Sequence, residues 1–123
     1  AFVPALKLSR GILTMNEKIA IIGSGLIGRA WAISFARAGY VVEMTDIDSD
    51  ALNQSVQTLK GSLADLAKHD LLNDQDVNTV AARVSPQESI AAALDGATYV
   101  QENTAEVLEI KKQVYAEQPG RWW

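Results

Sequence analysis

The segment Lys18-Ile19-Ala20-Ile21-Ile22-Gly23-Ser24-Gly25-Leu26-Ile27-Gly28 places three glycines at the spacing G-x-G-x-x-G directly behind a short apolar run. Each glycine answers a separate steric demand. Gly23 allows a sharp turn out of a strand, Gly25 lets an anionic group approach the backbone with no Cβ in the way, and Gly28 lets the following helix pack close to the strand. Ser24, Leu26 and Ile27 complete the turn, and the unpaired N–H groups at the start of the helix make it a site for a pyrophosphate. A second chemical group stands 23 positions beyond Gly23: Asp46, at the end of the apolar run Tyr40-Val41-Val42-Glu43-Met44-Thr45. A carboxylate about 20 residues past the glycines accepts hydrogen bonds from an adenosine ribose and repels a 2′-phosphate. Ile47-Asp48-Ser49-Asp50 contains no Lys or Arg to offset that repulsion, so the pattern specifies NAD rather than NADP. The plainer alternatives are a strand-turn-helix unit that holds no ligand and an Asp46 that only caps a turn.

These groups need particular elements to hold them. Ile27, Ala30, Trp31, Ser34, Phe35 and Ala38 recur at helical spacing and predict a helix over 26–38, closed by Gly39. Asp48-Ser49-Asp50 supplies short acceptors for the first turn of a second helix, in which Leu52, Val56, Leu59, Leu63 and Leu66 form one face and Gly61 is a weak point. A turn at 71–74 and a short helix at 75–82 return the chain as a helical hairpin. An edge-like strand at 83–86, a helix at 88–94, a strand at 97–102 and a helix at 105–118 with Val107, Ile110 and Val114 on one face complete the reading. The alternation predicts an α/β fold: a Rossmann-type doubly wound parallel sheet with right-handed crossovers and an inserted helical hairpin, truncated at the C-terminus before a fifth strand. In that order the strand carrying Ala97, Tyr99 and Gln101 is left with a bare edge, which predicts association.

The NAD-binding unit is expected over 15–118. Residues 1–14 lack an acid and precede Met15, and are read as an extension outside the fold; a transit-peptide remnant is the alternative, against which Pro4 and Gly11 count. Residues 119–123 end in Trp122-Trp123 with no core left to bury them, and are read as a tail foreign to the domain.

A chain of 123 residues accommodates one domain, and 48% apolar with 21% charged residues suits a packed core. A net charge of −4 argues against a nucleic-acid surface. No apolar run approaches the ~18 residues a membrane span needs. The absence of cysteine removes disulfides and thiolate metal sites and is compatible with a reducing, cytoplasmic setting. His69 is the sole histidine and falls at the tip of the hairpin, where an exposed structural role outweighs catalysis. Asp46, Asp48 and Asp50 alternate around a helix start, which favours capping over metal binding.

The string Ile22-Gly23-Ser24-Gly25-Leu26-Ile27-Gly28-Arg29-Ala30-Trp31-Ala32, the strand ending at Asp46, the hairpin and Gln101-Glu102-Asn103-Thr104-Ala105-Glu106-Val107-Leu108-Glu109-Ile110-Lys111 together resemble the amino-terminal domain of the L-3-hydroxyacyl-CoA dehydrogenase family. The Gly-Ser-Gly, Gly-Arg-x-Trp-Ala and Gln-Glu details resemble its lambda-crystallin (L-gulonate 3-dehydrogenase) branch. The resemblance covers about 18–117. It implies NAD as cofactor, with Glu106 and Lys111 contacting it and the strand end at Gln101-Glu102 near the nicotinamide. On composition alone Glu106 and Lys111 read as a solvated ion pair. Thr104-Ala105 departs from the branch, which often has a proline there. The family also implies hydride exchange with a 3-hydroxy acid or acyl-CoA, a role in fatty acid metabolism, a homodimeric parent, and a His–Glu pair that lies further along than this chain extends. This chain is therefore expected to bind NAD without catalysing turnover. A non-catalytic, crystallin-like NAD-binding module and an FAD-binding domain are the alternatives.

Overall fold

The structure, a computed structural model, describes residues 6–7 and 17–103. The elements are β1 (Leu6–Lys7), β2 (Lys18–Ile22), α1 (Leu26–Arg37), β3 (Val41–Thr45), α2 (Ser49–Lys68), α3 (Val77–Ala81), β4 (Val84–Pro86), α4 (Ile90–Leu94) and β5 (Ala97–Glu102). They form one sheet in the order β1-β5-β2-β3-β4, in which β5, β2, β3 and β4 run parallel. The central strand is β2, as the expected strand order requires. The expected helix at 105–118, Glu106, Lys111 and the tail 119–123 lie outside the described residues.

The apolar run of β2 is continuous because both of its faces are covered. Ile19 and Ile21 point into a cluster with Ala32, Ala36, Met44, Leu59 and Leu63, beneath α1 and α2. Ala20 and Ile22 point the other way, into Ile90, Ala93 and Leu94 of α4 and Val100 of β5. Helices on both faces confirm the doubly wound arrangement.

The buried side of α1 differs from the one its periodicity suggests. Gly28, Ala32 and Ala36 form the fully buried stripe, whereas Ile27 is 51% exposed and Ala30, Ser34 and Ala38 face outward. Small residues four apart let the helix axis approach the sheet, and the larger Trp31 and Phe35 flank the contact, stacked with ring centroids 5.8 Å apart. In α2 the expected face holds: Leu52, Val56, Leu59 and Leu63 are buried. Asp48 caps this helix through hydrogen bonds from the N–H groups of Asp50 and Ala51 at 3.0 and 3.1 Å.

The hairpin of α2 and α3 is tied to α1 by side chains. Arg83 Nη1 donates to the Ala36 carbonyl at 2.7 Å and to Gln75 Oε1 at 2.6 Å, while Gln75 Nε2 donates to the Arg37 carbonyl at 2.9 Å. These bonds reach carbonyls at the end of α1, of which Ala36 also accepts from the Gly39 N–H at 3.1 Å, and the guanidinium charge suits that end of the helix dipole. They hold α1 in the orientation that aims its other end at the glycine turn.

β1 lies antiparallel on the outer side of β5, with Leu6 opposite Val100 and Lys7 opposite Tyr99. The expectation that residues 1–14 stand outside the fold is corrected at these two positions. The expectation of a bare β5 edge is corrected at Tyr99 and Val100. The physical reason is that unpaired N–H and C=O groups on an edge strand pair with an extended segment that reaches them, and the chain itself supplies one.

Candidate cofactor site

The site forms where β2 and β3 end. Gly23 leaves β2 with φ of 95°, a left-handed conformation that favours glycine, and its N–H donates to the Thr45 carbonyl at 2.9 Å, which joins the turn to the end of β3. Gly25 then caps α1 with φ −67° and ψ −166°. A Cβ built on Gly28 would collide with the Gly23 carbonyl oxygen, so the helix can sit this close to the turn only with glycine there. A Cβ on Gly25 would have nothing within 4 Å, so the glycine guards open space rather than a packing contact.

That space faces the start of α1, which differs from the other helices. Asp48, Asp76 and Ser89 each accept first-turn N–H groups of α2, α3 and α4, whereas α1 has neither a side-chain cap nor an acid in its first turn. The first-turn N–H groups of α1 therefore point, without a side-chain acceptor, into the space Gly25 keeps clear. This is the donor set and the room that a pyrophosphate requires, so the residues present fit a dinucleotide. Leu26 at 74% and Ile27 at 51% exposure lie at the mouth, and Ile47 at 72% lies just past Asp46. They offer apolar surface to flat rings.

Asp46 immediately follows β3 and is tied to the turn. Its Oδ2 accepts from the Ser24 N–H at 2.8 Å and from the Ser24 hydroxyl at 2.7 Å, and its Oδ1 accepts from the Asp48 N–H at 3.0 Å. The last bond is the turn-capping contact considered as an alternative role. It coexists with the contact across the site. Partial burial pushes the Asp46 carboxyl up, but the bonds from Asp48, Ser24 and the Ile47 N–H together outweigh it and hold the group below the ordinary aspartate range. Because the folded value is depressed, the stabilisation is complete above the unfolded value of ~3.9 and is lost as pH falls through the folded value. The difference in melting temperature between the parent and Asp46→Asn, measured from pH 7 downward, is expected to close below about pH 4. A gap that stays constant with pH would contradict this assignment.

One contributor has no signal in the sequence. Asn103 Nδ2 donates to the carbonyls of Ile22 and Gln101 at 3.3 and 3.2 Å, and it would lie 3.4 Å from a Cβ on Gly28. Asn103 thus braces the glycine turn from behind. His69 is the exposed C-cap of α2, at the far end of a 20-residue helix that starts beside the site. At ~1.5 Å per residue that is about 30 Å away. Among the described residues no cluster of His, Cys, Asp or Glu could hold a metal ion, and no helix is long and apolar enough to cross a membrane. A groove of about 940 Å³ between α2, α3 and β4, lined in part by Val56, Lys60, Val77 and Val84, contains neither the glycine turn nor Asp46.

A parallel sheet whose central strand ends in a glycine turn at an uncapped helix start, with a carboxylate closing the next strand, defines a dinucleotide-binding domain. The family model for the 3-hydroxyacyl-CoA dehydrogenase NAD binding domain matches residues 18–119, and the chain belongs to that family as its NAD-binding domain. Over 100 residues it is 32% identical to the lambda-crystallin homolog of Rattus norvegicus, covering 80% of this chain and 31% of that protein. It is 29% identical over 101 residues to the L-carnitine dehydrogenase of Bacillus cereus, covering 82% of this chain and 30% of that protein. Among solved structures, (S)-3-hydroxybutyryl-CoA dehydrogenase from Ralstonia eutropha matches with a TM-score of 0.70 at 27% identity, over 81% of this chain and 36% of that one. The chain spans about a third of the length of these relatives.

Proposed function

We propose that the turn Gly23, Ser24, Gly25, Leu26, Ile27 and Gly28 receives the NAD pyrophosphate, that Asp46 receives the adenosine ribose, and that Glu106 and Lys111 contact the cofactor further along. The observation that carries this reading is the uncapped start of α1 facing the open side of Gly25, with Asp46 beside it. The bound cofactor supplies a nicotinamide ring that accepts or returns a hydride. The residues of this chain bind and orient it. The first-turn N–H groups of α1 neutralise the pyrophosphate, Gly25 admits it, and Asp46 sets the ribose register.

For the whole protein the reading is reversible oxidation of a 3-hydroxy acid or its CoA thioester to the 3-oxo compound. The similar L-carnitine and 3-hydroxybutyryl-CoA dehydrogenases share that chemistry by name, since each substrate carries a hydroxyl on the third carbon of a carboxylic chain. A proton acceptor within hydrogen-bond reach of that hydroxyl is needed, and the exposed His69 is not placed to serve. The 123-residue chain is therefore read as a cofactor-binding unit without turnover. A cytoplasmic homodimer working in fatty acid metabolism is the fuller reading of the parent. The likeness to lambda-crystallin homologs supports a second one, an NAD-binding structural module.

Calorimetry with NAD, NADP and FAD tests the cofactor. NAD is expected to bind more tightly than NADP by ~2 kcal/mol or more, because a 2′-phosphate would sit against the Asp46 charge at short range. FAD is expected not to compete. Equal affinity for NAD and NADP would overturn the role given to Asp46. Reduction of NAD by the isolated chain with 3-hydroxybutyryl-CoA or L-gulonate would overturn its reading as a silent cofactor-binding unit.

A further inference from the structure

The contact between Ser24 and Asp46 joins two parts of the cofactor site that are 22 positions apart in sequence. Ser24 is only 2% exposed and sits between Gly23 and Gly25, so the residue that helps shape the pyrophosphate turn also grips the carboxylate at the end of β3. It grips one oxygen twice, through its N–H and through its hydroxyl. The Asp48 N–H holds the other oxygen. A carboxylate has about four acceptor positions, and Ser24 takes both of those on Oδ2, so a ribose hydroxyl is left to approach through Oδ1.

We propose that Ser24 is a positioning residue for cofactor selection: by anchoring Oδ2 it prevents Asp46 from swinging aside, so that the negative charge stays where a 2′-phosphate would have to sit. A free aspartate side chain could admit NADP by rotating about χ1. Here that rotation breaks both bonds from Ser24 and the bond from the Asp48 N–H. Hydrogen bonds to a charged acceptor are among the strongest single contacts in a protein, so the lock is costly to open. The proposal rests on the NAD reading above and adds to Ser24's place in the pyrophosphate turn an action through Asp46.

The test is calorimetry of NAD and NADP binding to the full chain and to Ser24→Ala, with Asp46→Asn and the double variant completing a cycle. Ser24→Ala is expected to lower the NAD-to-NADP affinity ratio about tenfold, through loss of one charge-assisted bond. In the Asp46→Asn background the same replacement is expected to change the ratio less than twofold. A purely structural role would weaken both nucleotides in parallel and leave the ratio unchanged, and that result overturns the proposal. So does an equal effect of Ser24→Ala in both backgrounds. Should Ser24→Ala fail to fold, the nearly isosteric Ser24→Cys, whose S–H is a weak donor, is expected to lower the ratio severalfold, and an unchanged ratio there is equally fatal. Failure of the parent chain to bind NAD would overturn the cofactor reading and this proposal with it. NAD binding with an unaltered ratio in the variants would overturn this proposal alone.

Discussion

Gly28→Ala is expected to destabilise the domain by about 3 kcal/mol or more, the upper end of overpacking costs. The added methyl would collide with the Gly23 carbonyl oxygen and lie 3.0 Å from its carbonyl carbon. Both are backbone atoms in a turn whose N–H groups are already committed, Gly23 to Thr45 and Ser24 to Asp46, so no side chain can rotate out of the way. Relief requires α1 to lift from β2, and Ala32 and Ala36, both fully buried, would lose their contacts with it. For a domain of about this size each kcal/mol lowers the melting temperature by ~4–8 °C, so a fall of at least ~12 °C is expected in a thermal melt. A melt within ~3 °C of the parent would show that the turn can give, against the geometry described.

Gly25→Val separates binding from folding. The Cβ of residue 25 would meet nothing within 4 Å, and φ −67° with ψ −166° is extended backbone that valine adopts readily. Loss of glycine at the helix cap costs about 1 kcal/mol or less, so the melt is expected to stay within several degrees of the parent. NAD binding is expected to fall by at least a hundredfold, because the isopropyl group fills the space between the first-turn N–H groups of α1 and an approaching pyrophosphate. Far-UV circular dichroism should be superimposable on that of the parent, and calorimetry should show no heat of NAD binding at concentrations that saturate the parent. Retained affinity would mean that the cofactor enters by another route and would remove the main support for the site. Two glycines three residues apart thus fail in opposite ways, one through the fold and the other through the ligand.

Much of this was legible in the residues alone, because the signals are local. The strand at 97–102 matches β5 end for end, and the start of α2 is marked by the short polar cap at Asp48. The parallel sheet follows from the alternation of strands and helices, and the central place of its first strand from the dinucleotide-binding fold that the glycines mark. The glycine spacing and Asp46 identify the chemistry, since each residue there is demanded by a steric or electrostatic need that no common substitute meets.

The remainder depends on contacts between distant segments. Periodicity located α1 but could not tell which side it buries, because Gly28, Ala32 and Ala36 carry almost no hydrophobic signal and are buried for their small size. The bond from Ser24 to Asp46 joins positions with no sequence relation until β2 and β3 pair side by side, and the brace from Asn103 depends on β5 lying against β2. The strand at Leu6–Lys7 had no pattern of its own to announce it: two residues have no period, and what selects them is the open edge of β5. Which residues can do chemistry and which elements carry them could be read locally, because those properties belong to side chains and to short stretches of backbone. Which face is buried, which edge is covered and which carboxylate is held still were decided by contacts between segments far apart in the chain, which exist only once the sheet has formed.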